Sequence, residues 1–354
     1  MNMQFFKGRK VLLTGHTGFK GSWLSSMLLD AGADLTGYSL SVPTTPNLFS
    51  LLNLDKEMKT VYGDIRNFDL LCKTFDEVKP EIVIHLAAQP LVRESYSDPR
   101  YTYEANVMGT VNLLECIRNS IDVKSVLNVT TDKVYKNREW EWGYRENEEL
   151  NGYDPYSNSK SCSELVTDSY KKSFFDQRKI AVSTARAGNV IGGGDFAKDR
   201  IIPDCIKAVM NHHAVEVRNP YSIRPYEYVL EPLEAYLEII KCQYEDQSLQ
   251  GNYNVGPDEE NCVSTGRLVD LFCEYWNKIS GGKVEWINKS DKGPHEANFL
   301  KLDCARIKKV IGWRSVWGIE KAVEATVEWA WEYANQGNIK EITMRQIKRF
   351  MMAK

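Results

Sequence analysis

Short apolar runs alternate with longer amphipathic stretches through the first half of the chain. The short runs hold four to six apolar residues without strict alternation, which is typical of strands covered on both faces of a parallel sheet. The longer stretches have the apolar spacing of helices that bury one face. The predicted strands are 11–14, 59–62, 82–86 and 126–130, and the predicted helices are 19–29, 68–78 and 101–117. This alternation predicts an α/β fold with a doubly wound parallel sheet.

The second half opens with a clear helix start and then loses the regular alternation. Asp154 is a good capping residue and Pro155 suits the first helical position, so a helix is predicted to run to about residue 177, with a strand at 181–186 after it. Beyond Gly192–Gly194 the elements become shorter and are separated by prolines. Residues 225–255 again have the pattern of strand, helix and strand. We therefore expect one domain of residues 1–190 and 225–256, and a smaller C-terminal α/β domain of residues 191–224 and 257–354.

Composition narrows the class of protein. The 354 residues are 26% charged and 43% hydrophobic, which is ordinary for a globular chain. Because the net charge is -3 and no dense basic run is present, nucleic acid is not an expected partner. The eight cysteines form no C-x-x-C pair, so neither a metal site nor a disulfide framework is predicted. No apolar run approaches the roughly 18 residues of a membrane span, and Met1–Lys10 lacks a signal-peptide core. We expect no membrane partner and a cytoplasmic location.

A glycine-rich turn follows the first predicted strand. It reads Thr14-Gly15-His16-Thr17-Gly18-Phe19-Lys20-Gly21, and a helical pattern begins at once. Glycines at this spacing permit a tight turn and close backbone approach, and the helix N-terminus offers N–H donors to a pyrophosphate. The turn predicts a dinucleotide site, although a turn that only packs tightly has the same spacing. The acidic residue expected about 20 residues later is absent, since Gly37–Leu40 ends the second strand, so NAD and NADP both stay open.

Two further segments carry candidate chemistry. Tyr156 and Lys160 are four apart on the helix that Asp154 caps, so both side chains project from one face. A nearby ammonium favours a phenolate, so we expect Lys160 to lower the pKa of Tyr156 from about 10 and make Tyr156 a usable base. Thr131-Asp132-Lys133 follows a predicted strand, and side chains at the carboxyl end of a parallel strand face the ligand crevice. A solvated Asp-Lys pair is the plain alternative for this segment.

These motifs are similar to those of the extended short-chain dehydrogenase/reductase family. Within that family the chain resembles the nucleotide-sugar 4,6-dehydratases over nearly its whole length. The matching segments are the glycine turn, His85–Arg93, Asn106–Thr110, Thr131–Lys133, Asp154–Ser157 with Lys160, Arg186–Asp195 and Pro294–Ala297. Three of these segments narrow the match from the whole family to the 4,6-dehydratase branch: the Asp132-Lys133 pair, the triple glycine and the Pro294–Ala297 stretch. One departure is Tyr226-Glu227-Tyr228, which stands where this branch has Trp-Gln-His.

The resemblance implies a Rossmann-type NAD(P)-binding domain for the larger set of residues and a nucleotide-sugar-binding domain for the smaller one. It implies a homodimer with CDP-glucose as substrate and bound NAD as cofactor, NADP not being excluded. The reaction implied is an internal redox cycle: the sugar is oxidised at C4, water leaves across C5 and C6, and the hydride returns to C6. Oxidation comes first because the new ketone acidifies the C5 proton.

The resemblance also implies roles for individual residues. Tyr156 takes the C4 hydroxyl proton, Thr131 hydrogen-bonds the C4 oxygen, and Lys160 tunes Tyr156 and holds the nicotinamide ribose. Asp132 protonates the departing C6 hydroxyl. Lys133 stands where dehydratases of dTDP-sugars place a glutamate, and its role is open between removing the C5 proton and stabilising the enolate. The implied substrate residues are Thr131, Asn189, Arg200, Arg218 and Arg224. The implied cofactor residues are Gly15, His16, Thr17, Gly18, Phe19, Gly21, Ser39, Asp64, Ile65, Leu86, Ala87, Ala88, Asn106, Tyr156 and Lys160.

Three alternative functions fit all or part of this pattern. A nucleotide-sugar 4-epimerase shares Thr131, Tyr156 and Lys160 but needs no acid at position 132. A catalytically idle dinucleotide-binding regulator needs none of these groups in its crevice. A 4,6-dehydratase acting on another nucleotide-glucose differs only in the base that it recognises.

Overall fold

The computed structural model describes residues 2–289 and 300–354, and the predicted Pro294–Ala297 segment lies outside these residues. Its centre is a seven-stranded sheet. All neighbouring strands are parallel, in the order β3-β2-β1-β4-β5-β6-β11. The strands are β1 Lys10–Thr14, β2 Asp34–Ser39, β3 Lys59–Tyr62, β4 Ile82–His85, β5 Ser125–Val129, β6 Ala181–Ala187, β7 Asn189–Ile191, β8 Val215–Val217, β9 Ile223–Arg224, β10 Tyr226–Tyr228, β11 Asn252–Val255, β12 Val263–Ser264 and β13 Trp286–Asn288. The predicted doubly wound parallel sheet is confirmed.

Helices cover both faces of this sheet. Strands β4, β5 and β6 are buried along their whole length, as expected for a sheet without a solvent face. The α-helices are α1 Phe19–Asp30, α2 Leu48–Leu51, α3 Phe68–Val78, α4 Val92–Ser97, α5 Pro99–Tyr103, α6 Gly109–Asn119, α7 Pro155–Tyr170, α8 Ile201–Met210, α9 Leu230–Glu245, α10 Thr265–Ser280, α11 Ala305–Val310, α12 Ile319–Ala334 and α13 Ile339–Ala353. The order of strands reverses between β1 and β4, and this switch point opens a crevice at their carboxyl ends.

Two predicted helices are interrupted. The predicted helix at 101–117 is α5, a π-helical turn at Glu104–Met108 and α6. The turn carries Asn106, whose amide bonds the backbone of Gln89 in both directions at 2.8 and 3.0 Å. The helix predicted from Asp154 to about residue 177 is α7, and a π-helical turn at Lys171–Phe175 follows it. Apolar spacing gives the helical period but not such one-residue insertions.

The C-terminal part of the chain forms three small two-stranded sheets, β7 with β10, β8 with β13, and β9 with β12. The prediction of a strand, a helix and a strand over 225–255 matches β10, α9 and β11. Only β11 joins the large sheet, whereas β10 pairs with β7 beside it. Strand β11 thus returns the chain to the large sheet, and the division into two domains stays a prediction.

The triple glycine is required by packing. A Cβ on Gly193 would lie 2.0 Å from the Trp329 ring, and the Trp23 indole donates to the Gly193 carbonyl at 2.9 Å. The segment therefore passes between helices α1 and α12 with no room for a side chain. Within residues 2–289 and 300–354, no helix has the length and apolarity to cross a bilayer, no acidic, histidine and cysteine side chains gather as metal ligands, and the cysteines are free.

Candidate active site

A cavity of about 1580 Å³ runs along the carboxyl ends of the central strands and on between the small sheets. Its walls include the glycine turn, the segment after β5, the start of α7 and the loops on both sides of α8. Single-ligand pockets usually hold about 300–1,000 Å³. The cavity therefore has room for two bound molecules placed end to end.

The glycine turn forms one wall because it is too tight for side chains. Gly15 has a φ of +76°, and a Cβ there would lie 2.7 Å from the Ala87 nitrogen. A Cβ on Gly21 would lie 2.2 Å from the Gly15 carbonyl oxygen. The turn delivers the first N–H groups of α1 to the cavity wall, where they have no partner within the helix. This backbone cradle fits the pyrophosphate of a dinucleotide.

The far end of this wall accommodates the adenosine half of such a ligand. Thr17 and Ser39 hydroxyls lie 2.8 Å apart at the end of β2. Asp64 and Ile65 line the cavity next to them. The Asp64 carboxylate holds Arg66 at 2.8 Å, and this ion pair lowers the pKa of Asp64. Arg66 is thus already paired with Asp64 and with Glu104 at 2.9 Å, which makes it a poor partner for a 2′-phosphate.

Asp132 is held by both of its sequence neighbours. The Thr131 hydroxyl donates to Asp132 Oδ1 at 3.0 Å, and the Lys133 ammonium donates to the same oxygen at 2.9 Å. Lys133 also donates to Asn189 at 3.2 Å. Asp132 is fully buried and Oδ2 has no hydrogen-bond partner, while Lys133 is partly exposed and lines the cavity. Thus Lys133 faces the ligand space and Asp132 lies directly behind it.

Tyr156 lies at the cavity wall on the first turn of α7. The helix begins there because Asp154 accepts a hydrogen bond from the Ser157 N–H at 2.9 Å and Pro155 occupies the first position. Burial raises the pKa of Tyr156 to about 12 and the charge of Asp132 adds to this, while a hydrogen bond with Thr131 and the charge of Arg200 partly offset it. The sequence-based expectation that Lys160 lowers this pKa is not met, because burial dominates.

Lys160 lies behind the cavity surface. Its ammonium donates to the Val129 carbonyl at 3.1 Å, and burial followed by the charge of Lys20 lowers its pKa to about 8. The helix that carries it is fixed to the sheet by a buried ion pair, Glu164 with Arg186 at 2.8 Å. This pair sets the distance between α7 and β6.

Most of the other predicted site residues line the cavity. They are Gly15, Thr17, Gly18, Phe19, Gly21, Ser39, Asp64, Ile65, Leu86, Ala87 and Ala88 at one end, and Asn189, Arg200, Arg218 and Arg224 at the other. Arg224 is 5% exposed and its Nη1 has no hydrogen-bond partner. A buried guanidinium without an anion is costly, which marks a position for a bound phosphate.

Besides Lys160, two predicted cofactor residues, His16 and Asn106, do not line the cavity. The His16 ring is fully buried against Gly37 and Phe49, neither ring nitrogen has a partner, and burial lowers its pKa to about 4. His16 therefore contributes a neutral packing side chain, which departs from the predicted ligand contact. Asn106 is buried, and its amide is used up by Gln89 and Ser159. It supports the loop that follows β4.

Two charged residues of this region were not singled out from the sequence. Lys20 lines the cavity, and burial followed by the charge of Arg200 lowers its pKa to about 8. Glu227 on β10 is buried with both carboxyl oxygens unpartnered, and its nearest charges are Glu231, Lys20 and Asp132. A lysine inside a glycine turn and a glutamate inside an apolar strand are the signals that could have found them.

A parallel sheet in this order, with a tyrosine and a lysine one helical turn apart beside its switch point, is the architecture of the extended short-chain dehydrogenases/reductases. A family model described as GDP-mannose 4,6 dehydratase matches residues 12–326. The chain belongs to this GDP-mannose 4,6-dehydratase family, within the extended short-chain dehydrogenases/reductases. The predicted resemblance is confirmed.

Individual relatives agree with this assignment. The chain is 45% identical over 359 aligned residues to CDP-glucose 4,6-dehydratase of Salmonella typhimurium, covering 100% of this chain and 99% of that one. The structure of UDP-glucose 4-epimerase from Thermotoga maritima with UDP-glucose has a TM-score of 0.78 at 21% identity, covering 91% of this chain and 99% of that one. The NAD complex of dTDP-glucose 4,6-dehydratase from Bacillus anthracis has a TM-score of 0.76 at 20% identity, covering 95% and 100%. At these identities the two structures establish the fold.

Proposed function

We propose that this chain is a CDP-glucose 4,6-dehydratase, which converts CDP-glucose to CDP-4-dehydro-6-deoxyglucose and water with bound NAD. The observation that carries the reaction is the Asp132–Lys133 pair beside Thr131 and Tyr156. Removal of water from C5 and C6 needs a proton donor and a proton acceptor beyond the tyrosine, whereas epimerisation at C4 needs neither. The relative from Salmonella typhimurium, which aligns over the full length of this chain, supports CDP as the nucleotide of the substrate.

The cofactor end of the cavity fits NAD. The glycine cradle would hold the pyrophosphate, Thr17 and Ser39 would face the adenosine, and Leu86 to Ala88 would line the nicotinamide half. NAD supplies an acceptor that takes up two electrons at C4 of the sugar and returns them at C6. Lys160, held at the Val129 carbonyl, lies at the edge of this half.

Tyr156 and Thr131 act at the C4 hydroxyl of the sugar. The Thr131 hydroxyl fixes the C4 oxygen, and Tyr156 as phenolate accepts its proton. Because burial raises the pKa of Tyr156 to about 12, the phenolate depends on the two groups that lower that pKa, Thr131 and Arg200. Tyr156 therefore works as a strong base once it is ionised.

The Asp132–Lys133 pair acts at C5 and C6. Lys133 Nζ is the group of the pair that reaches the cavity, so we assign to it the contact with the C5 proton and the developing enolate. The proton that leaves with the C6 hydroxyl comes from the pair, and Asp132 behind Lys133 is its store. One C–O bond breaks, one O–H bond forms, and water departs.

The protons of the cycle balance within the enzyme. Tyr156 gains the C4 hydroxyl proton. Lys133, once its own proton has passed to Asp132, accepts the C5 proton and later returns it to C5, and the proton passed to Asp132 is the one that departs in water. Thr131 contacts both Tyr156 and Asp132. Its hydroxyl can pass the surplus proton from Tyr156 to Asp132, which restores the starting state without exchange with solvent.

The substrate end of the cavity fits a nucleoside diphosphate. Arg224, whose Nη1 has no hydrogen-bond partner, and the cavity-lining Arg218 supply charge for the two phosphates. Asn189 bridges this end to the catalytic residues because it accepts a hydrogen bond from Lys133.

We also infer a homodimer and a cytoplasmic location. Support for the dimer is a set of large apolar side chains exposed around α5, α6 and α7: Tyr103, Met108, Leu165 and Phe174 are 37–57% exposed. Such a patch is a candidate interface between copies. Sedimentation of the protein and of Leu165→Glu tests this, with a monomeric wild type as the contrary result.

The direct test of the function is to incubate the protein with NAD⁺ and CDP-glucose, and in parallel with the UDP, dTDP and GDP analogues. We expect a CDP-sugar lighter by one water, whose 4-keto-6-deoxy product develops absorbance in base. A product of unchanged mass would indicate epimerisation instead. Preferential turnover of another nucleotide-glucose would overturn the assignment of cytidine.

A further inference from the structure

The Asp199 carboxylate lies between two arginines from opposite walls of the cavity. Arg218 Nη1 is 2.8 Å from Asp199 Oδ1, and Arg93 Nη1 is 3.6 Å from the same oxygen. Arg93 belongs to α4, which follows strand β4 of the large sheet. Arg218 follows β8 in the C-terminal part of the chain. All three residues line the cavity at its substrate end. Two guanidiniums converging on one oxygen anion form a built anion position.

The chain holds Asp199 there in the left-handed backbone region. Its φ is +60°, which aspartate adopts more readily than most non-glycine residues. The side chain is 46% exposed, so apolar packing does not account for its position. The hydrogen bond from Arg218 and the charges of Arg93, Arg218 and Lys198 lower the pKa of Asp199, so it is a carboxylate at neutral pH.

We propose that Arg93 is a further substrate-binding residue that contacts the diphosphate, and that the Asp199 carboxylate occupies the place of a substrate phosphate until the substrate displaces it. This inference rests on the proposed function, because it takes a nucleoside diphosphate sugar as the ligand.

The exchange follows from charge and geometry. A diphosphate carries more negative charge and more acceptor oxygens than one carboxylate, so both guanidiniums gain by the exchange. Arg218 is steadied meanwhile by Asp204, 3.2 Å from its Nη2. Arg224, buried and unpartnered, supplies the neighbouring cation.

The test compares four proteins by calorimetric titration with CDP and with cytidine: wild type, Arg93→Gln, Asp199→Asn and the double variant. Asparagine keeps the left-handed conformation readily, so Asp199→Asn removes only the charge. We expect Arg93→Gln to weaken CDP binding roughly tenfold and to leave cytidine binding unchanged. Asp199→Asn should tighten CDP binding about threefold or more, with a smaller gain in the double variant.

Glu274→Gln, which breaks an exposed pair with Arg267 at 3.4 Å, is the matched control and should leave CDP binding unchanged. The inference is overturned if Asp199→Asn leaves CDP affinity unchanged or weakens it, or if Arg93→Gln has no effect or weakens cytidine and CDP equally. A wild type that binds neither CDP nor cytidine would instead contradict the proposed function.

Discussion

The Lys133 ammonium donates a hydrogen bond to the Asp132 carboxylate at 2.9 Å, and the two side chains differ in access. Lys133 lines the cavity, whereas Asp132 is fully buried behind it. The C5 and C6 atoms of a sugar bound in the cavity would therefore contact Lys133 before Asp132. Under the proposed function the pair links oxidation at Tyr156 to elimination, because Thr131 contacts both Tyr156 and Asp132.

Substitution of Lys133 separates the two halves of the reaction. Lys133→Ala keeps Thr131 and Tyr156, so CDP-glucose should still reduce bound NAD⁺, but the variant should stall before water is lost. Rapid mixing shows this as reduced nicotinamide that accumulates and does not decay. Lys73→Ala, in an exposed pair on α3, is the control and should behave as wild type. Normal turnover by Lys133→Ala would remove this lysine from the mechanism.

The charge of Arg200 contributes to the pH at which Tyr156 ionises. Arg200 lowers the pKa of Tyr156, which burial has raised to about 12. Since the phenolate is the active form, sugar oxidation should speed up as the pH rises. Arg200→Gln should move this rise to higher pH and Arg200→Lys should largely restore it. The measurement is the first-turnover rate against pH at saturating CDP-glucose. An unshifted profile in Arg200→Gln would refute the coupling.

Glu227 costs stability at neutral pH. Burial raises its pKa well above the usual 4.5, with the charge of Glu231 adding to the effect. The folded state therefore binds a proton that the unfolded state releases, and the free energy of unfolding falls as the pH rises above 4.5. Glu227→Gln should stabilise the protein by about 1–3 kcal/mol near pH 8 and by less near pH 5. Denaturant titrations at both pH values measure this, with the exposed Glu245→Gln as control. A gain equal at both pH values would argue against a titrating carboxyl.

The packing of the triple glycine is testable by one methyl group. Gly193→Ala would push a Cβ into the Trp329 ring and should lower the free energy of unfolding by about 1–3 kcal/mol or more. Gly282→Ala is the control, because its nearest neighbour is the Ser280 hydroxyl at 3.1 Å. Thermal unfolding followed by circular dichroism compares the two. Equal melting temperatures would show that the helices around Gly193 can move apart.

Patterns within a few neighbouring residues predicted the parts of the site that depend only on those residues. The spacing of Tyr156 and Lys160 on a helix capped by Asp154 places both residues correctly, and the glycine turn at Gly15–Gly21 follows β1 as expected. The direction of the His16 ring was not predictable in this way. It depends on Gly37 and Phe49, which approach from other elements and leave a space that the ring fills.

The electrostatics of the site depend on contacts that are distant in sequence. The pKa of Tyr156 follows its burial more than the charge of Lys160, and burial appears only when the chain is folded. Likewise, Arg93 and Asp199 are far apart in the sequence and meet across the cavity. A sequence motif identifies such residues but does not show which of them are in contact.

The central claim is that one bound cofactor takes up and returns the same electrons while water leaves. The most direct measurement uses CDP-glucose labelled with deuterium at C4 and follows the product by mass spectrometry and NMR. We expect the product to have lost one water and to carry the deuterium at C6. Deuterium that stays at C4 in a product of unchanged mass, or that is lost to the medium, would contradict this account.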